Sequence, residues 1–421
     1  MNTFSSKERY IASVLAKFPK IKRSLKLVYS YLNYYRYRKP YKVDCDFPLK
    51  EYGQQSCESF FGYYDQSVSS SCGNYVIFQE VCGVNNDGSN LVQLVCIDDS
   101  TGDVVYRADT RAVNLQQGCK LQWLMGLSFI YNHYSEDVGY HSRIVDLSSG
   151  EVSTLPVPVY DCFECEYALC LNYCRLAKFS PDYGYFEHGE SDISSLPGED
   201  GIWIMRLSDG ICNLVASLEE ISSIASVNYD PGIIRVRRSN HTVNHIMISP
   251  DGKNFIFIHR WYVNGVRFDR LVLSSRHGDM RVLSDNGMVS HCCWDGNDKI
   301  FAYLKGDDGT VGYWHIDLVS GVQKHFFNDV LLSIGDGHPS IKNGWLLTDS
   351  YPDRARMQHL VAVHLKSGKV IKLGEFFHGL EFYEQGRCDL HPRFSFDGSK
   401  VFFDSVYSGK RRLYSIDARF N

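Results

Sequence analysis

The chain has 421 residues, more than an ordinary single domain, with a normal apolar fraction of 44% and abundant tyrosine (28) and phenylalanine (24). Its formal charge is −5, but residues 1–42 hold eleven Lys/Arg against Glu8 alone, a net of +10, which leaves −15 for the remainder. An acidic body argues against a nucleic-acid-binding protein, because phosphate contacts need a basic face.

Residues 5–39 read as one or two helices, with Phe18, Ile21, Leu25, Val28 and Leu32 on one stripe, Lys and Arg around it, and a tyrosine cluster at 29–37. A basic amphipathic helix of this kind either makes peripheral contact with an anionic membrane or packs on the flank of the domain that follows. The first apolar stretch is broken by Lys17, Pro19, Lys20 and Lys22, so no signal peptide is expected, and no 18-residue apolar run follows. The fourteen cysteines are irregularly placed, many of them in apolar runs (Cys96, Cys170, Cys292, Cys293), and Cys162 and Cys165 form a CxxC without a partner pair. Reduced thiols and a cytoplasmic location are expected, with the inner membrane face as the place where the basic helix could act.

From residue 43 onward the pattern is β. A unit ending in apolar-x-apolar-Asp-Leu-x-x-Gly-x-apolar recurs at 91–105, 142–152, 201–215, 269–283, 311–326 and 359–373. A seventh copy at 411–420 reaches the end of the sequence before its fourth strand. The expected architecture is all-β, a seven-bladed β-propeller over 43–421 preceded by a basic helical extension over 1–42. Residues 43–52 are expected to supply the missing outer strand and so remove the open sheet edges.

Four histidines recur at one position of this repeat: His245, His291, His338 and His391, spaced by 46, 47 and 53 residues. In a propeller the innermost strand starts at one face and the second strand returns to it. That face is therefore expected to collect Tyr64 and Asp65 from blade one and Gln122, Trp123, Asn132 and His133 from blade two. Blade three adds Tyr173 and Arg175, which strand alternation points together towards the channel. Blade four adds His245, His259, Arg260 and Trp261, blade five His291, blade six His338 and Asp353, and blade seven Arg387, Asp389 and His391. Metal-bound nitrogens lie about 2.0–2.2 Å from their ion, and starts of inner strands are expected to lie too far apart for all four histidines to share one. The expected metal set is His338, Asp389 and His391, holding a divalent ion such as Zn, Mn or Ca, with no organic cofactor.

These residue types suit β-elimination on a uronic acid. A base removes the C5 proton, a cation neutralises the carboxylate, and an acid protonates the departing oxygen. His133, Tyr173, Arg175 and His245 are the expected catalytic residues, and the other residues of the face are expected to bind an acidic polysaccharide or oligosaccharide.

The strings ESFFGYYDQS (58–67), QQGCKLQWL…FIYNH (116–133), LNYCRLAKFSPDYGY (171–185), NHIMISPDGKNFIFIHRW (244–261), GDGHPS…LLTDSYPD (335–353) and CDLHPRFSFDG (388–398) resemble seven-bladed polysaccharide lyases. The likeness is to the ulvan lyase type and, more distantly, to oligogalacturonate lyase, and it runs over about 58–417. It implies His and Tyr in proton transfer and Arg on the carboxylate, as in the ulvan enzymes, or a His-rich divalent metal site, as in the oligogalacturonate enzymes. His133 departs from the pattern, standing where an Asp is expected after IYN, and blade one carries QSVSSSCGNY in place of a Pro-Asp-Gly turn. The alternative is a non-catalytic glycan-binding or scaffold propeller in surface polysaccharide biosynthesis. A protein-binding propeller of the WD type lacks its GH…WD signature.

Overall fold

The computed structural model describes the chain apart from residues 1–18, 85–89, 187–197, 227, 230–239, 264–265, 418–419 and 421, so the first part of the basic extension lies outside the described residues. Seven antiparallel sheets follow one another around a ring, and the protein is a seven-bladed β-propeller. Blade one runs outward from Glu58–Phe60 through Tyr75–Val84 and Asn90–Asp98 to Val104–Thr110. Five further blades repeat this order over 122–155, 161–217, 240–284, 289–325 and 340–377, and blade seven supplies three strands over 393–417.

The burial of each strand follows from its place in the stack. Second strands are covered on both sides by neighbouring blades: Asn254–Val263 is buried from Phe255 to Trp261, with an apolar run Phe255–Ile258 followed by buried His259 and Arg260. Outer strands such as Val152–Leu155 are mostly exposed. The core lies between blades; Phe78 and Leu94 of blade one, Phe129 of blade two, and Phe402 and Leu413 of blade seven share one cluster. The recurring Asp-x-x-x-Gly has a local cause. Asp98, Asp146 and Asp317 each accept hydrogen bonds from two backbone amides of their turns. The glycine that closes each turn, such as Gly102 at φ 80°, takes the left-handed conformation that a side chain disfavours.

Closure differs from expectation in its division of labour. Lys50–Tyr52 pairs with Arg412–Asp417 and completes blade seven, with Tyr52 opposite Leu413. Val43–Asp44 instead pairs with Val370–Phe377 as a fifth strand of blade six, Val43 opposite Phe376. Between them Cys45, Phe47 and Leu49 pack into the core shared by blades six and seven. These three side chains draw the segment across two blades.

Two further expectations are corrected. The residues after Leu171 do not continue as a strand: Tyr173–Phe179 is a helix, because the Asn172 side chain caps it by accepting from the Arg175 amide at 3.0 Å. Nor are all thiols reduced. Cys57 and Cys82 form a disulfide, being the next opposed pair after Glu58 and Val81, while the other twelve cysteines are free.

Pro19–Tyr37 is a helix docked on blade six. The Tyr34 ring meets Phe377 at 5.5 Å, and the Arg354 guanidinium lies 5.6 Å from the Tyr37 ring. The chain beyond it is held by Glu375, which pairs with Lys39 and accepts from the Tyr41 hydroxyl at 3.1 Å. Among the described residues no helix is long and apolar enough to cross a membrane.

Candidate functional site

Irregular backbone aims the histidines into the channel. His245 has φ 52° and lies in a register shift between Asn244 and Met247. His291 lies in the corresponding shift between Val289 and Cys292, and His391 has φ 44°. A bulge of this kind turns one side chain out of the pleat. At His338 the device is Gly337, where a Cβ would fall 2.0 Å from the Asp349 carbonyl oxygen. That close approach lets the His338 amide donate to Asp349 Oδ1 at 2.7 Å.

The four imidazoles form an unbroken row. Ring centroids are 5.6 Å apart from His245 to His291, 4.3 Å from His291 to His338, and 4.3 Å from His338 to His391. Tyr63 closes the row, stacked on His245 at 5.3 Å and edge-on to His391 at 5.0 Å. Its Oη lies 2.6 Å from His245 Nδ1. The histidines are thus nearer one another than inner-strand starts suggest, because the bulges push them towards the axis.

One end of the row has the features of a metal centre. One donor atom each from His338, Asp389 and His391 lies within 4.8 Å of the others, and all three residues are buried. His338 Nδ1 is held by Asp349 at 2.9 and 3.0 Å, which leaves Nε2 as its free donor. The same carboxylate accepts from the His391 amide at 3.2 Å. A carboxylate behind a histidine is the support that metal-ligating imidazoles commonly have. Asp389 Oδ1 and His391 Nε2 are buried without a hydrogen-bond partner. Unpaired buried acceptors are costly, and a cation satisfies them, so this donor set fits a divalent ion. His291 Nδ1 is engaged in the same way by Asp336 at 3.1 Å.

The electrostatics differ along the row. Burial, then the charges of Arg260 and His291, holds the His245 pKa well below the ordinary histidine value. Burial and His338 do the same to His391. For His338 burial acts downward, but Asp349 prevails and raises its pKa. Asp389, although buried, is kept below the usual carboxylate range by Arg387, whose Nε donates to it at 2.6 Å.

The mouth is formed by Arg387, Tyr351, Tyr183 and Asp182. The Arg387 side chain keeps 26% of its surface exposed while contacting Asp182 at 3.4 Å and lying 6.0 Å from the Tyr351 ring. The Tyr183 ring is edge-on to His245 at 5.5 Å.

The other expected site residues fall into two groups. Tyr64 and Asp65 reach the channel. The Tyr64 hydroxyl donates across it to the Cys292 carbonyl at 2.9 Å, and Asp65 pairs with buried Lys120 at 2.7 Å. Arg260 is buried beside the row and paired with Asp269 at 2.8 Å.

The remainder serve the scaffold. Gln122 and Trp123 pair with Ile130 and Phe129, towards the opposite face, because the near end of that inner strand is Cys119. Asn132 ties blade two to Val159, with its amide nitrogen donating at 2.8 Å and its Oδ1 accepting at 2.7 Å. His133 packs against His141 at 5.1 Å, its pKa lowered to about 4 by burial and Arg143. Tyr173 stacks on Tyr185 at 4.2 Å, and Arg175 binds Asp200 at 2.6 Å and the His241 carbonyl at 3.2 Å, so helix packing removes both from the channel. His259 is wedged between His241 and Arg270, each at 3.0 Å, with Trp261 stacked on it, which makes this a core ladder and not a sugar platform. Asp353 caps its loop by accepting from the amides of Ala355 and Met357. Sequence reasoning missed Tyr63, Lys120, Asp349 and Tyr183; for Tyr63 a signal existed, since it adjoins Tyr64 in the GYYD string.

No family model matches the chain and no curated protein matches its sequence. Among solved structures it is similar to an oligogalacturonate lyase in complex with manganese, at TM-score 0.60 and 14% identity over 90% of this chain and 95% of that one. A second oligogalacturonate lyase, from Vibrio parahaemolyticus, aligns at TM-score 0.58 and 12% identity over 89% and 96%. The β-propeller domain of the Trilobed protease from Pyrococcus furiosus aligns at TM-score 0.50 and 11% identity over 86% and 97%. At these identities the likeness shows the fold.

Proposed function

We propose that the protein cleaves a uronic-acid-containing polysaccharide or oligosaccharide by β-elimination inside the channel mouth. The observation that carries this reading is the 2.6 Å contact between Tyr63 Oη and His245 Nδ1 within the row of histidines. In the tautomer where His245 Nδ1–H donates to Tyr63, Nε2 offers its lone pair, and the depressed pKa keeps that lone pair free near neutral pH. His245 takes the C5 proton, the C–H electron pair becomes the C4–C5 double bond, and the C4–O bond breaks. Tyr63 gives its phenolic proton to the departing oxygen. The Nδ1 proton then crosses to the phenolate, which leaves Tyr63 and His245 both neutral with the imidazole proton on Nε2, and the starting tautomer returns when solvent takes that proton from Nε2 as another is delivered to Nδ1. Arg387, at the mouth, binds a sugar carboxylate as a fork. His338, Asp389 and His391 would hold a divalent ion, Mn, Zn or Ca, whose positive charge lowers the cost of the enolate-like intermediate.

The test is the near-ultraviolet absorbance of the unsaturated product on a panel that includes polygalacturonate and ulvan, with and without chelator. Activity is expected on one of these and lost with chelator. His245→Ala and Tyr63→Phe should each lower turnover by about 10²–10⁴ while leaving thermal unfolding unchanged. Binding to an acidic glycan without product formation on any polymer overturns the lyase reading and leaves a glycan-binding propeller.

A further inference from the structure

We infer that the helix Pro19–Tyr37 docks the protein on an anionic lipid surface, with the channel mouth held beside that surface. The helix is packed with its described aliphatic side chains outward. Tyr34 and Tyr37 contact blade six. Leu25, Val28, Leu32 and Tyr35 expose 48%, 56%, 66% and 64% of their surface. At 3.6 residues per turn these four fall within about 80° of one another, roughly opposite Tyr34 and Tyr37. A helix that merely covers a propeller flank buries its aliphatic stripe and shows its polar side to water.

Charge selects the partner. The segment 1–42 carries eleven Lys/Arg and one Glu, and Arg36 and Arg38 at the helix end are exposed. The rest of the chain, at −15, is repelled by an anionic surface, so attraction is confined to this segment. An exposed apolar stripe with basic residues around it matches the lipid interface, where the stripe enters the acyl boundary and the cations meet headgroup phosphates.

Topology sets the orientation. The inner strand of blade six leaves the mouth face at His338, so the second strand, Trp345–Asp349, returns to it and the outer strand Val370–Phe377 ends on it. The helix therefore meets the blade at its mouth-side end. Arg354, over Tyr37, is three residues beyond Tyr351, whose ring lies 5.8 Å from His338. A glycan worked on in this position is one carried at a membrane surface; that last step rests on the lyase reading, whereas the docking does not.

The experiment uses the full chain with vesicles of phosphatidylcholine alone and of phosphatidylcholine mixed equally with phosphatidylglycerol. Sedimentation is expected to show at least about ten-fold stronger binding to the anionic vesicles, weakened by added salt. Replacing both Leu25→Glu and Leu32→Glu should remove this binding without lowering the unfolding temperature. Amide exchange in the bound state should slow over 350–356 and not over the opposite-face turn 250–253. His245→Ala should bind vesicles as the parent does, so failure here and failure of the lyase reading are separate results. Absence of vesicle binding, equal binding to both compositions, or indifference to the double substitution overturns the proposal. A dimer that dissolves on the same substitution, without vesicle binding, overturns it in favour of a second copy of the chain. Protection over 250–253 overturns the orientation.

Discussion

His245 and His391 hold φ of 52° and 44°, a conformation that costs a non-glycine residue energy and persists only where surrounding contacts enforce it. At His391 the enforcing group is Asp349, which accepts from the His391 amide and from His338 Nδ1. Asp349→Asn should therefore act through the metal ligands: an expected loss of about 10–100-fold in manganese or zinc affinity, read by calorimetric titration, with the fold intact. Unchanged affinity would remove His338 from the metal set. Arg175 makes the opposite prediction. It is buried and held by Asp200 and the His241 carbonyl, so Arg175→Ala should cost about 3–5 kcal/mol of stability. Turnover of the fraction still folded should be near the parent value, and a folded but inactive Arg175→Ala would restore a catalytic role. The recurrence of His338 and His391 was legible in the sequence because a repeat phases equivalent side chains onto one axis. Tyr173 and Arg175 were misplaced because two-residue alternation holds only in a strand, and Asn172 starts a helix there.

Among elements, blades were easier to read than the connections between them. The Asp-x-x-x-Gly turn has a local cause and so repeats wherever its residues do, whereas the crossing of residues 45–49 from blade six to blade seven depends on core that the whole ring creates. The basic helix shows the same division. Its periodicity is local, but which side it buries is decided by Phe377, Arg354 and Glu375, over three hundred residues away in sequence. Glu375 supplies a pH signature. Burial alone would raise its pKa, but hydrogen bonds from Lys39 and Lys372 prevail and hold it at about 2, against an ordinary 4.5. A depressed carboxylate contributes stability that is present above its unfolded pKa and lost as pH falls through the folded one. The unfolding-temperature gap between the parent and Glu375→Gln should thus be widest near neutral pH and shrink between 4.5 and about 2. A gap independent of pH would show that the ion pairs contribute nothing to docking.

For the whole molecule, the decisive contact is the one that turns seven sheets into a closed ring. Blade seven has three strands of its own at the C-terminus, and without Lys50–Tyr52 its outer edge is open, which invites pairing with another chain. Tyr52 fastens the closure. It is buried, packs on Phe78 of blade one and Phe402 of blade seven, and its hydroxyl meets Asp99 at 3.0 Å and Ser415 at 3.1 Å. One side chain thereby joins the first blade to the last. The Val43–Asp44 strand only lengthens an already four-stranded blade, and Val43 is 36% exposed. Deleting the two side chains should separate these roles. Tyr52→Ala is expected to cost about 3–5 kcal/mol, the range for removing a buried aromatic ring, and to increase aggregation on warming. Val43→Ala is expected to change stability by less than about 0.5 kcal/mol, as at other exposed positions. Urea unfolding followed by tryptophan fluorescence measures both. Equal effects would mean that blades six and seven are held by the crossing segment as a whole and not by the strand that completes the last blade.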